Sequence, residues 1–153
     1  MKVNVKVVRT HIALFVTDPE RLAQWYEDLL GMERTGCNGD QWIMLGFGRK
    51  HHDVALIKAP TGATQGILGL QHYGLEIEGN ETTLRQLYGM LLEKGVNVVK
   101  ITDHEIGLGL YFTDPDGNRL EFFLETDHND DQAKDRFKAT NAPSRNIELD
   151  PIY

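Results

Sequence analysis

The sequence is short of cysteine and of long apolar runs, and each shortage narrows what the chain can be. Its one cysteine, Cys37, has no partner for an internal disulfide. A disulfide-stapled secreted scaffold is thereby excluded, and a reducing, cytoplasmic setting is expected. No apolar stretch approaches the roughly 20 residues that a membrane-spanning helix needs. The opening Met1-Lys2-Val3-Asn4-Val5-Lys6 lacks the apolar core of a signal peptide. Basic residues are also few: 16 Lys and Arg against 23 Asp and Glu leave a net charge of −7. A surface of that sign repels phosphate backbones and anionic lipid headgroups, so neither nucleic acid nor membrane is an expected partner. What is present is ordinary for a globular protein: 153 residues, 41% hydrophobic and 25% charged. That length suits one domain, able to bury about two-thirds of its unfolded surface without staples.

The chain reads as two copies of one unit. Val7 to Val16 has the composition of a strand. Asp18-Pro19 follows, and then Leu22, Trp25, Tyr26, Leu29 and Leu30 fall on one face of a helix. Asp18 suits the N-cap, Pro19 the first turn and Gly31 the stop. A second strand spans Leu70 to Ile77. Asn80 caps the next helix, Leu84, Leu87, Tyr88, Leu91 and Leu92 repeat the same spacing, and Gly95 closes it. Three short strand-like runs follow each helix. In the first copy they are about Met32–Thr35, Gln41–Phe47 and His52–Ile57, parted by turn-prone Gly36–Asp40 and Gly48–Lys50. In the second they are about Val96–Thr102, Leu108–Thr113 and Arg119–Leu124, with an Asp114-Pro115-Asp116-Gly117 turn before the last.

The expected fold is therefore α+β: two βαβββ modules, about 7–58 and 70–125, forming one curved, mostly antiparallel sheet. Lys58 to Gly66 is a small-residue linker. Residues 126–153 are polar without a clear period, either an arm or disordered.

Strand side chains alternate between faces. Ile12, Leu14 and Val16 make an apolar face, and His11 looks the other way with Ala13 and Phe15. Tyr73, Leu75 and Ile77 do the same in the second copy, and His72 looks away. In the last strand Leu120, Phe122 and Leu124 are the apolar set, and Glu121 looks away. His11, His72 and Glu121 thus share the face opposite the helices. Two histidines and one carboxylate are the ligand set of a facial triad, which suits Fe(II) with open positions; zinc, Mn(II) and Ni(II) accept the same donors. Phe15, Trp42, Met44 and Phe47 fit either the walls of an aromatic pocket or the core.

The paired βαβββ modules with His11, His72 and Glu121 resemble the vicinal oxygen chelate superfamily over about Val7 to Glu125. That superfamily includes glyoxalase I, bleomycin-resistance proteins, fosfomycin-resistance enzymes, methylmalonyl-CoA epimerase and type I extradiol dioxygenases. The stretch from Thr102 to Glu121 further resembles the extradiol ring-cleavage signature. It runs from His104 through Tyr111 and Asp114-Pro115-Asp116-Gly117 to Glu121. His52-Asp53-Val54-Ala55-Leu56 is similar to the extradiol segment that carries an acid–base histidine, and by alternation His52, Val54 and Leu56 share a face.

This resemblance implies a single-domain, non-haem Fe(II)-dependent extradiol dioxygenase, with Mn(II) as the alternative metal. Its substrates are an aromatic diol and O₂. His11, His72 and Glu121 are the implied metal ligands. His52 is the implied acid–base residue, and His104 and Tyr111 the implied hydrogen-bonding partners of substrate and intermediates. The large extradiol enzymes carry four modules. Two modules leave sheet surface and edges to cover, so a homodimer or higher homo-oligomer is expected. Two other readings stay open: a glyoxalase- or epimerase-like metalloenzyme without O₂, which leaves His104 and Tyr111 unexplained, and a metal-free drug-binding resistance protein, which needs no triad.

Overall fold

A computed structural model describes residues 8–66 and 69–153. Val7, where the first strand was expected to begin, lies outside the described residues. The chain divides into two compact units, residues 1–65 and 66–153.

In the first unit the elements are β1 (Ile12–Val16), α1 (Pro19–Leu30), β2 (Glu33–Asn38), β3 (Trp42–Gly46) and β4 (Val54–Lys58). Asp18 caps α1 as expected, its Oδ1 accepting from the amides of Glu20 at 3.1 Å and Arg21 at 3.2 Å. Gly31 ends it at φ +64°, the left-handed value that a residue without Cβ adopts freely. The sheet order is β1-β4-β3-β2, with β1 parallel to β4 and the other pairs antiparallel. Leu14, Val16, Ile43, Leu45, Val54 and Leu56 are buried with Leu22, Ala23, Tyr26 and Leu29 of α1. The opposite face carries Phe15, 66% exposed, and Trp42, 39% exposed, so neither belongs to the core.

Strand boundaries differ from expectation: β1 begins at Ile12 and β5 at Tyr73, so His11 and His72 precede their strands and do not lie within them. Gly36-Cys37-Asn38 is strand and not turn. A bulge between Arg34 and Gly36 lets β2 run on to Asn38, and only Gly39–Gln41 turn. β4 begins at Val54, which leaves His52 in the preceding loop.

The second unit contains β5 (Tyr73–Ile77), α2 (Glu81–Glu93), β6 (Val98–Asp103), β7 (Gly107–Thr113), β8 (Arg119–Glu125), α3 (Asp130–Ala139) and β9 (Arg145–Ile147). Its order is β5-β8-β7-β6-β9. The first four strands repeat the order of the first unit, again with one parallel pair, β5 with β8. The βαβββ repeat is therefore present twice, hydrogen-bonded as two sheets, one per unit. Asn80 caps α2 through a reciprocal box with Thr83. Leu84 and Leu91 are fully buried; Leu92, the last position of the expected stripe, is 38% exposed. Asp114 organises the turn before β8. Its Oδ1 accepts from the amides of Asp116 and Asn118, both at 2.9 Å, and its Oδ2 from Asn118 Nδ2 at 2.8 Å.

The segment after Thr126 is neither irregular nor detached. α3 is capped by Asn129, and β9 extends the sheet by pairing with β6. The last residues lie on α2: the Ile152 amide donates to the Arg85 carbonyl at 3.0 Å. A Cβ at Gly89 would stand 2.2 Å from the Ile152 carbonyl oxygen, so that close approach needs a glycine. No helix among the described residues is long and apolar enough to cross a membrane.

Candidate functional site

In the second unit the register of the sheet gathers the candidate residues on one face. Gly74 of β5, Glu121 of β8 and Tyr111 of β7 are register partners in adjacent strands. They point away from the apolar set Leu120, Phe122 and Leu124. His72 stands just before β5 on the same side, and its Nε2 lies 3.3 Å from Glu121 Oε2. His104 stands just after β6, with Nε2 3.7 Å from Glu121 Oε1 and 3.4 Å from the Tyr111 hydroxyl. The His72 and Tyr111 rings meet edge to face, their centroids 5.2 Å apart. His72, His104, Tyr111 and Glu121 are thus brought together.

Glycine makes the room for this cluster. A Cβ at Gly109 would fall 2.3 Å from Glu121 Oε1 and 2.9 Å from both Thr102 Oγ1 and Tyr111 Cε2. Glu121 is 6% exposed, and its Oε1 has no hydrogen-bond partner among the described residues. Burying a carboxylate oxygen without a partner is costly. Burial first, and then the adjacent Glu121 carboxylate, push the Tyr111 hydroxyl up to about 12, so it stays a neutral donor at ordinary pH. Lys100 Nζ lies 4.9 Å from the centre of the Tyr111 ring.

His104 is fixed from both sides. Its Nε2 is 2.8 Å from the Thr102 hydroxyl, and its Nδ1 is 3.0 Å from the Pro143 carbonyl oxygen. Thr102, Lys100, Gly109 and Pro143 were not singled out from the sequence. A buried threonine and a backbone carbonyl carry no distinguishing residue pattern; Gly109, one pair along from Tyr111 on the same face, is the one signal available.

In the first unit His11 is exposed and adjoins β1. Its ring packs edge-on to His52, with centroids 4.7 Å apart. His52 precedes β4, so alternation along the strand does not place it with Val54 and Leu56. Its Nδ1 lies 2.6 Å from Nδ1 of His51. Burial, then the neighbouring His51, His11 and Arg9, lower its pKa and favour the neutral imidazole. Arg9 braces this loop: it donates to the His52 carbonyl and pairs with Asp53 at 2.8 Å. Asp53 in turn accepts from the Phe47 amide at 2.9 Å.

Each unit taken by itself holds no group of three or more His, Cys, Asp and Glu close enough to bind a metal among the described residues. The second unit supplies two donors of the right chemistry, an imidazole nitrogen and a carboxylate with a spare oxygen. That pair fits a divalent cation, whose charge would satisfy Glu121 Oε1.

The duplicated βαβββ order agrees with a known superfamily. Residues 9–122 match the Glyoxalase/Bleomycin resistance protein/Dioxygenase superfamily. The chain belongs to this superfamily. Within it, the chain is 29% identical over 128 residues to biphenyl-2,3-diol 1,2-dioxygenase 2 of Rhodococcus globerulus, covering 80% of this chain and 65% of that one. It is 30% identical over 122 residues to biphenyl-2,3-diol 1,2-dioxygenase 3 of the same organism, covering 75% and 62%. The chain therefore spans less than two thirds of the length of these relatives. The superfamily fold also relates it to lactoylglutathione lyase from Agrobacterium tumefaciens, with a TM-score of 0.62 at 16% identity over 79% of this chain and 96% of that one.

Proposed function

We propose that the chain is a non-haem Fe(II)-dependent extradiol dioxygenase that opens a catechol-type ring beside its two hydroxyls. The observation that carries this reading is the grouping of His104, Tyr111 and His72 around the buried Glu121. A glyoxalase-like isomerase needs the metal donors but has no use for the His104–Tyr111 pair. Similarity to two biphenyl-diol dioxygenases supports the same choice.

His72 and Glu121 would hold the metal, with His11 as the third ligand; Mn(II) would be accepted by the same donors. When bound, Fe(II) supplies a positive charge that lowers the pKa of the substrate hydroxyls and sites at which diol and O₂ meet. The remaining chemistry falls to the chain's own side chains. His52, kept neutral, takes a proton from a diol hydroxyl and later returns it. Tyr111, kept protonated, donates a hydrogen bond to substrate oxygen. His104 accepts or donates at Nε2 beside it. A homodimer remains the proposed assembly.

The test is oxygen consumption. The chain is reloaded with Fe(II) without air, then given catechol, 3-methylcatechol and 2,3-dihydroxybiphenyl separately in aerated buffer. The reading predicts stoichiometric O₂ uptake and a yellow ring-opened product with at least one of them. Bound metal without uptake on any diol would favour an isomerase.

A further inference from the structure

The imidazole of His104 is held by a backbone group of the segment that follows β8. Its Nδ1 lies 3.0 Å from the Pro143 carbonyl oxygen. A carbonyl can only accept, so Nδ1 carries the hydrogen and Nε2 of the neutral ring keeps its lone pair. That lone pair accepts from the Thr102 hydroxyl at 2.8 Å and faces the Tyr111 hydroxyl at 3.4 Å.

The contact is built into a strained and cross-linked region. Glu105, next to His104, sits at φ +70°, and Asn141 and Ala142, just before Pro143, sit at φ +63° and +48°. Side-chain-bearing residues rarely adopt these values, and they persist only where the surroundings impose them. At Asn141 and Ala142 the end of α3 imposes them, their amides donating to the Lys138 carbonyl at 3.2 Å and the Phe137 carbonyl at 2.9 Å, while the Arg145 guanidinium reaches Glu105 Oε1 at 2.6 Å and Asp103 Oδ2 at 3.2 Å. Arg136 adds a contact to Glu105 Oε2 at 3.4 Å. The pairing of Thr102 and Asp103 with Asn146 and Arg145 closes the clamp.

We propose that residues 141–147 form a positioning strap that fixes the tautomer of His104, presenting an Nε2 lone pair toward Thr102 and Tyr111. Pro143 and Arg145 are positioning residues; neither touches the reacting atoms. The catalytic consequence rests on the function proposed above, whereas the tautomer itself does not.

The test uses full-length, metal-free protein labelled with ¹⁵N-histidine, at a pH of about 9, well above the ordinary imidazole range. The His104→Gln spectrum assigns the His104 signals among the six histidines. Long-range proton–nitrogen correlation then reads the tautomer directly. Wild type is expected to show Nδ1–H as the major form. Arg145→Ala removes the clamp, and Ala142→Val opposes the left-handed backbone before Pro143. In either variant that retains the wild-type circular dichroism, Nε2–H is expected to become the major form, with Arg145→Lys restoring the wild-type pattern. In the Fe(II)-loaded protein, kcat on the accepted diol is expected to fall about tenfold with KM changed less than about twofold, a fraction of what a positioned acid or base supplies. An Nε2–H tautomer in wild type, or Nδ1–H retained in both folded variants, would overturn the proposal. If no diol is turned over, the spectra still decide the strap, and only the proposed reaction fails.

Discussion

His72 Nε2 and Glu121 Oε2 stand 3.3 Å apart across the parallel pairing of β5 with β8. The residue opposite Glu121 in that ladder is Gly74, whose missing Cβ leaves the carboxylate free to turn toward His72. The other oxygen of Glu121 is left buried without a hydrogen bond. The arrangement costs the fold free energy, and under the proposed function a bound cation would recover it, so stability and the proposed function oppose each other at one residue.

That opposition makes Glu121→Gln informative. A neutral amide in the same space relieves a buried, under-satisfied charge, which is worth about 1–2 kcal/mol. The metal-free variant is expected to melt roughly 2–8 °C above metal-free wild type. Added Fe(II) or Mn(II) should raise the melting temperature of wild type and leave the variant unmoved. A variant that melts lower without metal and still responds to it would show that Glu121 is no ligand.

Acid should loosen the first unit through Asp53. The Arg9 guanidinium, and then the Phe47 amide, hold its carboxyl below the usual range of about 3.9. On acidification the unfolded chain takes up this proton first. The stability it contributes is complete above about pH 4 and is lost as pH falls through the lower folded value. Urea midpoints measured between about pH 2 and 6 should fall more steeply for wild type than for Asp53→Asn. Parallel curves would remove Asp53 from the account.

The close approach at Gly89 predicts what holds the chain's last residues. Alanine ordinarily favours a helix interior over glycine by about 1 kcal/mol. Here its Cβ would meet the Ile152 carbonyl oxygen at 2.2 Å, and backbone on both sides resists moving. Gly89→Ala is expected to free residues 150–153 from α2, seen as loss of hydrogen-exchange protection at the Ile152 amide. Unchanged protection would mean that the tail is held elsewhere.

His52→Ala should separate proton transfer from metal binding. Metal stoichiometry is expected to stay at the wild-type level while kcat falls by roughly 10²–10⁴-fold. Turnover at the wild-type rate would remove His52 as the acid–base residue.

Much of this was legible because the physics is local. Asp18, Gly31 and Asn80 bound the helices through their own backbone preferences. The alternation of Leu120, Glu121 and Phe122 put Glu121 opposite the helix-facing set, and the register pairs it with Tyr111 of β7. Where the chain leaves regular structure, alternation stopped working. His52 lies before β4, so its contact with His11 could not be read from period two. β9 is three residues long and owes its existence to β6, a partner more than forty positions away. The hold on His104 by Pro143 is made by a carbonyl, and every residue has one.

Extradiol cleavage, the reaction proposed for this chain, puts both atoms of O₂ into the opened ring. The most direct measurement is the mass of the product formed by Fe(II)-loaded protein from the accepted diol under ¹⁸O₂. The account predicts a ring-opened product carrying two heavy oxygens, in wild type and not in Glu121→Gln. A product without heavy oxygen, or a diol recovered intact while metal is bound, would contradict it.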